Sequence, residues 1–257
     1  MRTLGGHMPL AMAAAVTLAL GTSLAQAQDM AASYEGAPVR IGQGEAHTVV
    51  RTDADGKPVS ISIVFSESAL AGLPASGEAM APAYTLEMPA TGPKTVVDHV
   101  VINWEGHGHP PPGVYDVPHF DFHFYLVSQA EQQQVKFSNE GESGDPSQQP
   151  AAALLPAGYV VPPGTAVPQM GVHAVNTAAP EFQQQPFTAT FIYGYHNQQQ
   201  TFVEPMVALS FLQAKPSFSA PLARPASYSK AGAYPASYSV KYDAANLRYE
   251  VALQDLR

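Results

Sequence analysis

Nine histidines occur among 257 residues, so about one is expected in any window of 25. Instead His99, His107, His109, His119 and His123 fall within 25 residues, and His173 and His196 follow later. Imidazoles gathered in this way bind metal ions or, less often, move protons. The chain has no cysteine, so thiolate ligands and thiol nucleophiles are excluded, and the available donors are imidazole and carboxylate. Such a set suits a divalent transition metal, whether zinc, copper, iron, manganese or nickel, and the residues do not choose among them.

Local geometry limits which histidines can meet. The run Pro118-His119-Phe120-Asp121-Phe122-His123-Phe124-Tyr125 alternates as a strand. Its period of two sets His119, Asp121, His123 and Tyr125 on one face and the three phenylalanines on the other. The phenylalanines define the core side, and the His/Asp face is expected to meet solvent or a second cavity. Along a straight strand His119 and His123 stand roughly 13 Å apart. Two nitrogens on one ion, at bonds of about 2.0–2.1 Å, cannot span that. Either the strand bends, or only one of the two joins Asp121. The stretch from Trp104 to Gly113 reads as a loop in which glycine lets His107 and His109 approach a ligand closely. His173 opens a later strand, and Glu204 lies within the apolar run Phe202 to Met206. A carboxylate there needs a cation, a metal or hydrogen-bond donors. The expected ligands are His109, His119, His123 and His173, with Glu204 or Asp121 as carboxylate.

The elements that must carry these residues are short and rich in β-branched and aromatic side chains. Strands are expected at 47–52, 59–65, 84–88, 98–104, 119–127, 187–195, 201–209, 238–242 and 247–253, bounded by Pro, Gly or polar turns. Asp53-Ala54-Asp55-Gly56 joins the first two as a hairpin; it also begins like a calcium loop, without the remaining ligands. One or two helical turns fit 66–73, and Ser128-Gln129-Ala130-Glu131 is a capping box opening a short helix. The 24 prolines and 20 glycines disfavour a helical bundle. An all-β fold results, a mainly antiparallel sandwich or barrel with a few short helices.

Composition narrows the function further. Hydrophobic residues make up 46% of the chain, enough for a core, and charged residues only 13%. With a net charge of -9 a nucleic-acid partner held through phosphates is not expected. There is no G-x-S-x-G elbow, H-E-x-x-H helix, P-loop or dinucleotide-binding glycine motif. The start is Met1-Arg2, then an apolar run from Leu10 to Leu20, then Ala25-Gln26-Ala27. That is the pattern of a cleaved secretory signal peptide over 1–27, too short for a membrane span. The chain is therefore expected to be periplasmic or secreted. Residues 28–37 read as a flexible lead-in. A single β domain over 38–257 follows, with a Pro-rich loop at 138–169 and an extended arm at 215–239. The arm carries Pro-Ala-Ser-Tyr-Ser twice, with its tyrosines as contacts.

The blocks Asp98-His99-Val100, Trp104, Gly108-His109, Pro112-Gly113-Val114-Tyr115 and Pro118 to Tyr125 resemble an exported bacterial family of unknown function, typified by a Thermus protein under sigma-E control. Met170 to His173, Phe191 to Gly194 and Phe202 to Met206 resemble its later blocks, and together the likeness runs from about Ser60 to Leu212. Two departures stand out. Pro110 follows the glycine-histidine pair where the family pattern implies an acidic residue, which removes a carboxylate near the site. Ala174 follows the later histidine where the pattern implies Trp, which opens the pocket. The resemblance groups the residues without supplying a reaction. A metal-dependent enzyme, hydrolytic or oxidative, stays open. So does a non-catalytic envelope stress protein that binds a metal or a small-molecule ligand, or holds its histidines in a hydrogen-bonded layer without metal. A homo-oligomer is compatible with either.

The leader yields the first prediction. Mass spectrometry of exported protein should find Gln28, free or cyclised, at the N-terminus; exported material that retains Met1 would contradict cleavage.

Overall fold

The computed structural model describes residues 32–74 and 82–257, so the expected leader over 1–27 lies outside the described residues. Fourteen strands form two antiparallel sheets of seven among the described residues. The first sheet is built from β1 (Ala32–Glu35), β2 (Val39–Ile41), β3 (Gly44–Thr52), β4 (Pro58–Ser66), β12 (Ser217–Pro221), β13 (Ser237–Asp243) and β14 (Arg248–Gln254). Its order is β1-β3-β4-β14-β13-β12, with β2 sharing the β3 edge. The second holds β5 (Ala83–Glu87), β6 (His99–Glu105), β7 (His119–Tyr125), β8 (Tyr159–Val160), β9 (Val172–Asn176), β10 (Ala189–His196) and β11 (Gln199–Ala208). There the order is β5-β6-β7-β11-β10-β9-β8.

The two sheets face each other as a sandwich, and the alternation of each strand decides what lies between them. Val50, Ile61, Ile63, Phe65 and Val251 from one side pack with Val100, Ile102, Phe120, Phe122, Phe124 and Val203 from the other. The Phe65 and Phe122 rings meet at 5.8 Å, and Phe191 reaches Tyr238 at 5.3 Å. Burying each of these side chains contributes about 1.5–3 kcal/mol. The phenylalanine face of β7 is therefore the core face, as its period implies.

Local chemistry sets the connections. The Asp53 carboxylate accepts from the backbone N–H groups of Asp55 and Lys57, which fastens the β3–β4 hairpin. Ser128 and Glu131 form the reciprocal capping box on helix α1 (Gln129–Gln132). A second short helix, α2 (Leu209–Gln213), follows β11, and a single 3-10 turn occupies Glu67–Leu70. No helix among the described residues is long and apolar enough to cross a membrane.

Three stretches differ from their sequence reading. Residues 32–35, inside the expected flexible lead-in 28–37, are strand β1, in register with Val49 to Thr52. The Gly36 N–H continues that edge by donating to the Thr48 carbonyl at 2.8 Å. The arm at 215–239 is partly sheet, through β12 and the start of β13. Its tyrosines do make the contacts: Tyr228 stacks on Tyr234 at 3.6 Å, and Tyr238 is buried in the core. The Pro-rich loop 138–169 contains two 3-10 turns and β8, tied to the sheet by the Tyr159 hydroxyl donating to the Phe191 carbonyl.

Phe122 lies at the centre of the sandwich, 1% exposed. Phe122→Ala should destabilise the domain by about 3–5 kcal/mol, read as a shifted denaturation midpoint at unchanged slope. A loss below about 1 kcal/mol would contradict its place in the core.

Candidate metal centre

The pairing of β6, β7 and β11 sets the layout. β7 pairs with β6 through seven consecutive residues without a shift, from His99 opposite Tyr125 to Glu105 opposite His119. On its other side Phe202 faces Tyr125, Met206 faces Asp121 and Ala208 faces His119. The same register sets Glu204 opposite His123. The strand therefore does not bend at Asp121. Its polar face is a row of His119, Asp121, His123 and Tyr125, flanked by Glu105, Asn103, Val101 and His99 from β6.

This face meets neither solvent nor an open second cavity, contrary to the sequence expectation. All four β7 residues on it are buried, because loops fold over the sheet. Gly108, at φ +74°, turns the chain back so closely that a Cβ there would fall 2.1 Å from the Tyr115 carbonyl oxygen. The His109 N–H donates to that same carbonyl at 3.1 Å, which brings the His109 ring over the strand. Tyr115, Phe187, Ile192 and Met206 form an apolar cover at this end, with Phe187 edge-on to His119 at 5.5 Å.

The six expected ligands share this layer but divide into two triads instead of surrounding one point. His109, His119 and Asp121 form one; His123, His173 and Glu204 form the other, and in each the donor atoms lie within 4.8 Å of one another. His119 Nε2 stands 3.1 Å from Asp121 Oδ1, and His109 Nε2 is 3.5 Å from Asp121 Oδ2. In the second triad His123 Nε2 is 3.5 Å from Glu204 Oε1. Of the two β7 histidines, only His119 joins Asp121. Donors on one tetrahedral ion stand about 3.3–3.6 Å apart at bonds of about 2.0–2.2 Å, close to these separations.

Backbone carbonyls fix the tautomers. A carbonyl only accepts, so the His119 Nδ1–H donates to Val117 at 2.6 Å, that of His109 to Pro110 at 2.7 Å and that of His173 to Thr165 at 2.8 Å. Each ring then turns its Nε2 to its triad, as the atom through which it can bind an ion. This is the outer-shell arrangement that orients metal-bound histidines.

Hydrogen bonding separates this layer from an ordinary polar one. His119 Nε2, Asp121 Oδ1, both nitrogens of His123, Glu204 Oε2 and Asn103 Oδ1 are buried and make no hydrogen bond. Each such group costs about 1–3 kcal/mol. His99, on the neighbouring strand, shows the contrast. Its Nδ1 bonds the Asp98 carboxylate at 3.0 Å and its Nε2 the Gln132 amide oxygen at 2.9 Å, and its ring stacks on Tyr125. His99 is satisfied; His123 is not.

Charge makes the same distinction. Burial drives Glu204 well above the usual carboxylate range, and the Asp121 charge adds to it. Glu105 is raised for the same two reasons. Burial also opposes ionisation of Asp121, but the positive charge available on His119 and His109 outweighs it and holds the carboxyl below its usual range. Burial disfavours a charged His109 ring, yet the hydrogen bond and charge of Asp121 lift it to about 9. His123 is pushed down to about 3 by burial, and burial lowers His173 as well. Asp121 and Glu204 form ion pairs with histidines alone among the described residues, and with no lysine or arginine.

Sequence reasoning did not single out Asn103, Tyr115 or Phe187 for this layer; only the strand pairing and the loop over it bring them there. His107, beside His109, is exposed. Ala174 is buried in the core between the sheets, on the face of β9 opposite His173. The departure at that position therefore does not open the site. Gly194 opposite His173 matters more: a Cβ there would lie 2.2 Å from the Phe202 ring, which packs against both His123 and His173.

Residues 53–104 match the TTHB210-like family, described as Hypothetical protein TTHB210. The likeness to that family, whose function is unknown, covers β4, β5 and β6 as far as Trp104 but none of the six triad residues. No curated protein and no solved structure gives a significant match.

Proposed function

We propose that the protein binds a divalent transition metal ion through His109, His119 and Asp121, and that it does so as an exported protein. One observation carries this reading: His119 Nε2 and Asp121 Oδ1 are buried 3.1 Å apart, and neither makes a hydrogen bond. Imidazole and carboxylate lone pairs at this distance repel unless a positive charge, a proton or a metal ion, lies between them, and no proton is hydrogen-bonded there. A metal ion relieves that repulsion and satisfies both atoms at once. The absence of thiolates points to zinc, copper, iron or manganese, all of which accept imidazole and carboxylate.

Three protein donors leave a fourth position on a tetrahedral ion for water or a small ligand, as in catalytic zinc sites and unlike closed structural ones. His109 stands at the open side, its side chain 33% exposed. This favours a metal site that exchanges ligands with its surroundings over a sealed structural one. The alternative, a hydrogen-bonded polar layer without metal, is disfavoured by the orphaned atoms.

The test uses Asp121→Asn, which keeps volume and removes the charge. Loss of an outer-shell partner alone typically costs 10–100-fold in metal affinity, so losing the carboxylate should weaken zinc binding by more than about tenfold. For the native protein, zinc at about 100 times its Kd should add about 2.7 kcal/mol of stability. That is a melting rise of about 5–10 °C for a chain of this size, and Asp121→Asn should lose it. Equal zinc affinity in the two proteins would contradict the assignment.

A further inference from the structure

We infer that the protein holds two metal ions side by side, the second in the triad of His123, His173 and Glu204. The inference rests on the metal reading above but on a different set of atoms. His123 and Glu204 have side chains 1% and 2% exposed. His123 Nε2, which faces Glu204, and one oxygen of Glu204 make no hydrogen bond. The third member, His173, has its Nδ1–H engaged by the Thr165 carbonyl, which leaves its Nε2 for the same point. Three donors from three strands, β7, β9 and β11, thus converge with two of them orphaned in the interior. A buried carboxyl group facing two imidazoles is the donor set of the first triad repeated one step along the sheet.

A single shared ion does not fit. β7 keeps an unbroken register with β6 across His119, Asp121 and His123, so it runs straight, with His119 and His123 about 13 Å apart. The donor atoms divide accordingly, His119 grouping with His109 and Asp121, and His123 with His173 and Glu204. Asp121 and His123, about 6.7 Å apart along the strand, belong to neighbouring ions. The two positions also differ in framework. The first takes His109 from the Gly- and Pro-rich loop, whereas all three ligands of the second lie on strands. A chelator should therefore remove the ion at His109 first and the strand-held ion more slowly.

Stoichiometry tests this on the full, untagged chain, stripped with a chelator and titrated with zinc in a calorimeter or with cobalt(II) by visible absorbance. The native protein should take two equivalents. Glu204→Gln and Asp121→Asn should each take one. Glu204→Gln keeps the volume of the side chain, and circular dichroism checks that its metal-free form is folded. If it does not fold, His173→Ala, at the half-buried member of the triad, serves instead and should also take one. A native protein that takes one equivalent, lost in Asp121→Asn and kept in Glu204→Gln, would overturn the second site and leave the first standing. Two equivalents retained by both Glu204→Gln and His173→Ala would also overturn it. No binding by the native protein would defeat the reading of the first triad as well.

Discussion

The alternation of β7 is the constraint from which the rest follows. Phe120, Phe122 and Phe124 must enter the space between the sheets, because that is where the apolar surface of β4 and β14 awaits them. The strand period then commits His119, Asp121 and His123 to the opposite face. Strand pairing adds Glu204 beside them, and the loops from Glu105 to Pro118 and before β9 close over the result. Hydrophobic packing on one side of a strand thus forces a row of ionisable groups into burial on the other. The free-energy cost of that row has to be offset by something it binds or bonds.

Electrostatics states what the row requires. Asp121, Glu204 and Glu105 crowd one layer, each raised by burial or held down only by histidine charge. Neither Asp121 nor Glu204 pairs with lysine or arginine among the described residues. Meanwhile three histidines have their Nδ1 protons committed to backbone carbonyls, so Nε2 is the atom each turns to the layer. A layer of carboxyl and imidazole groups with no lysine or arginine paired to them among the described residues is complementary to a cation. His99 shows that the same fold satisfies a buried histidine by hydrogen bonds where no ligand is needed.

Much of this was legible in the sequence where the signal is local. The strand at 118–125, the hairpin at Asp53, the capping box at Ser128 and the closing hairpin before the C-terminus all arise from neighbouring residues. The edge strands β1, β2 and β8 were not, because strands of two to four residues carry too little alternation to read. The ligand types were also legible, including the 13 Å conflict between His119 and His123. Its resolution into two triads was not, since it depends on Glu204 pairing opposite His123 and on Gly194 leaving room for Phe202 beside His173. Ala174 illustrates the same limit. Its place in the core follows from the phase of β9, which a loop rich in proline and glycine leaves unset.

The central claim is that this buried layer is a metal centre. The most direct measurement is the metal content of the protein purified without a histidine tag and without chelators, by elemental analysis against protein concentration. A transition metal near two equivalents per chain, falling on replacement of Asp121 and of Glu204, is the predicted result. A chain that is folded, free of transition metal and unable to take any up on addition would contradict it.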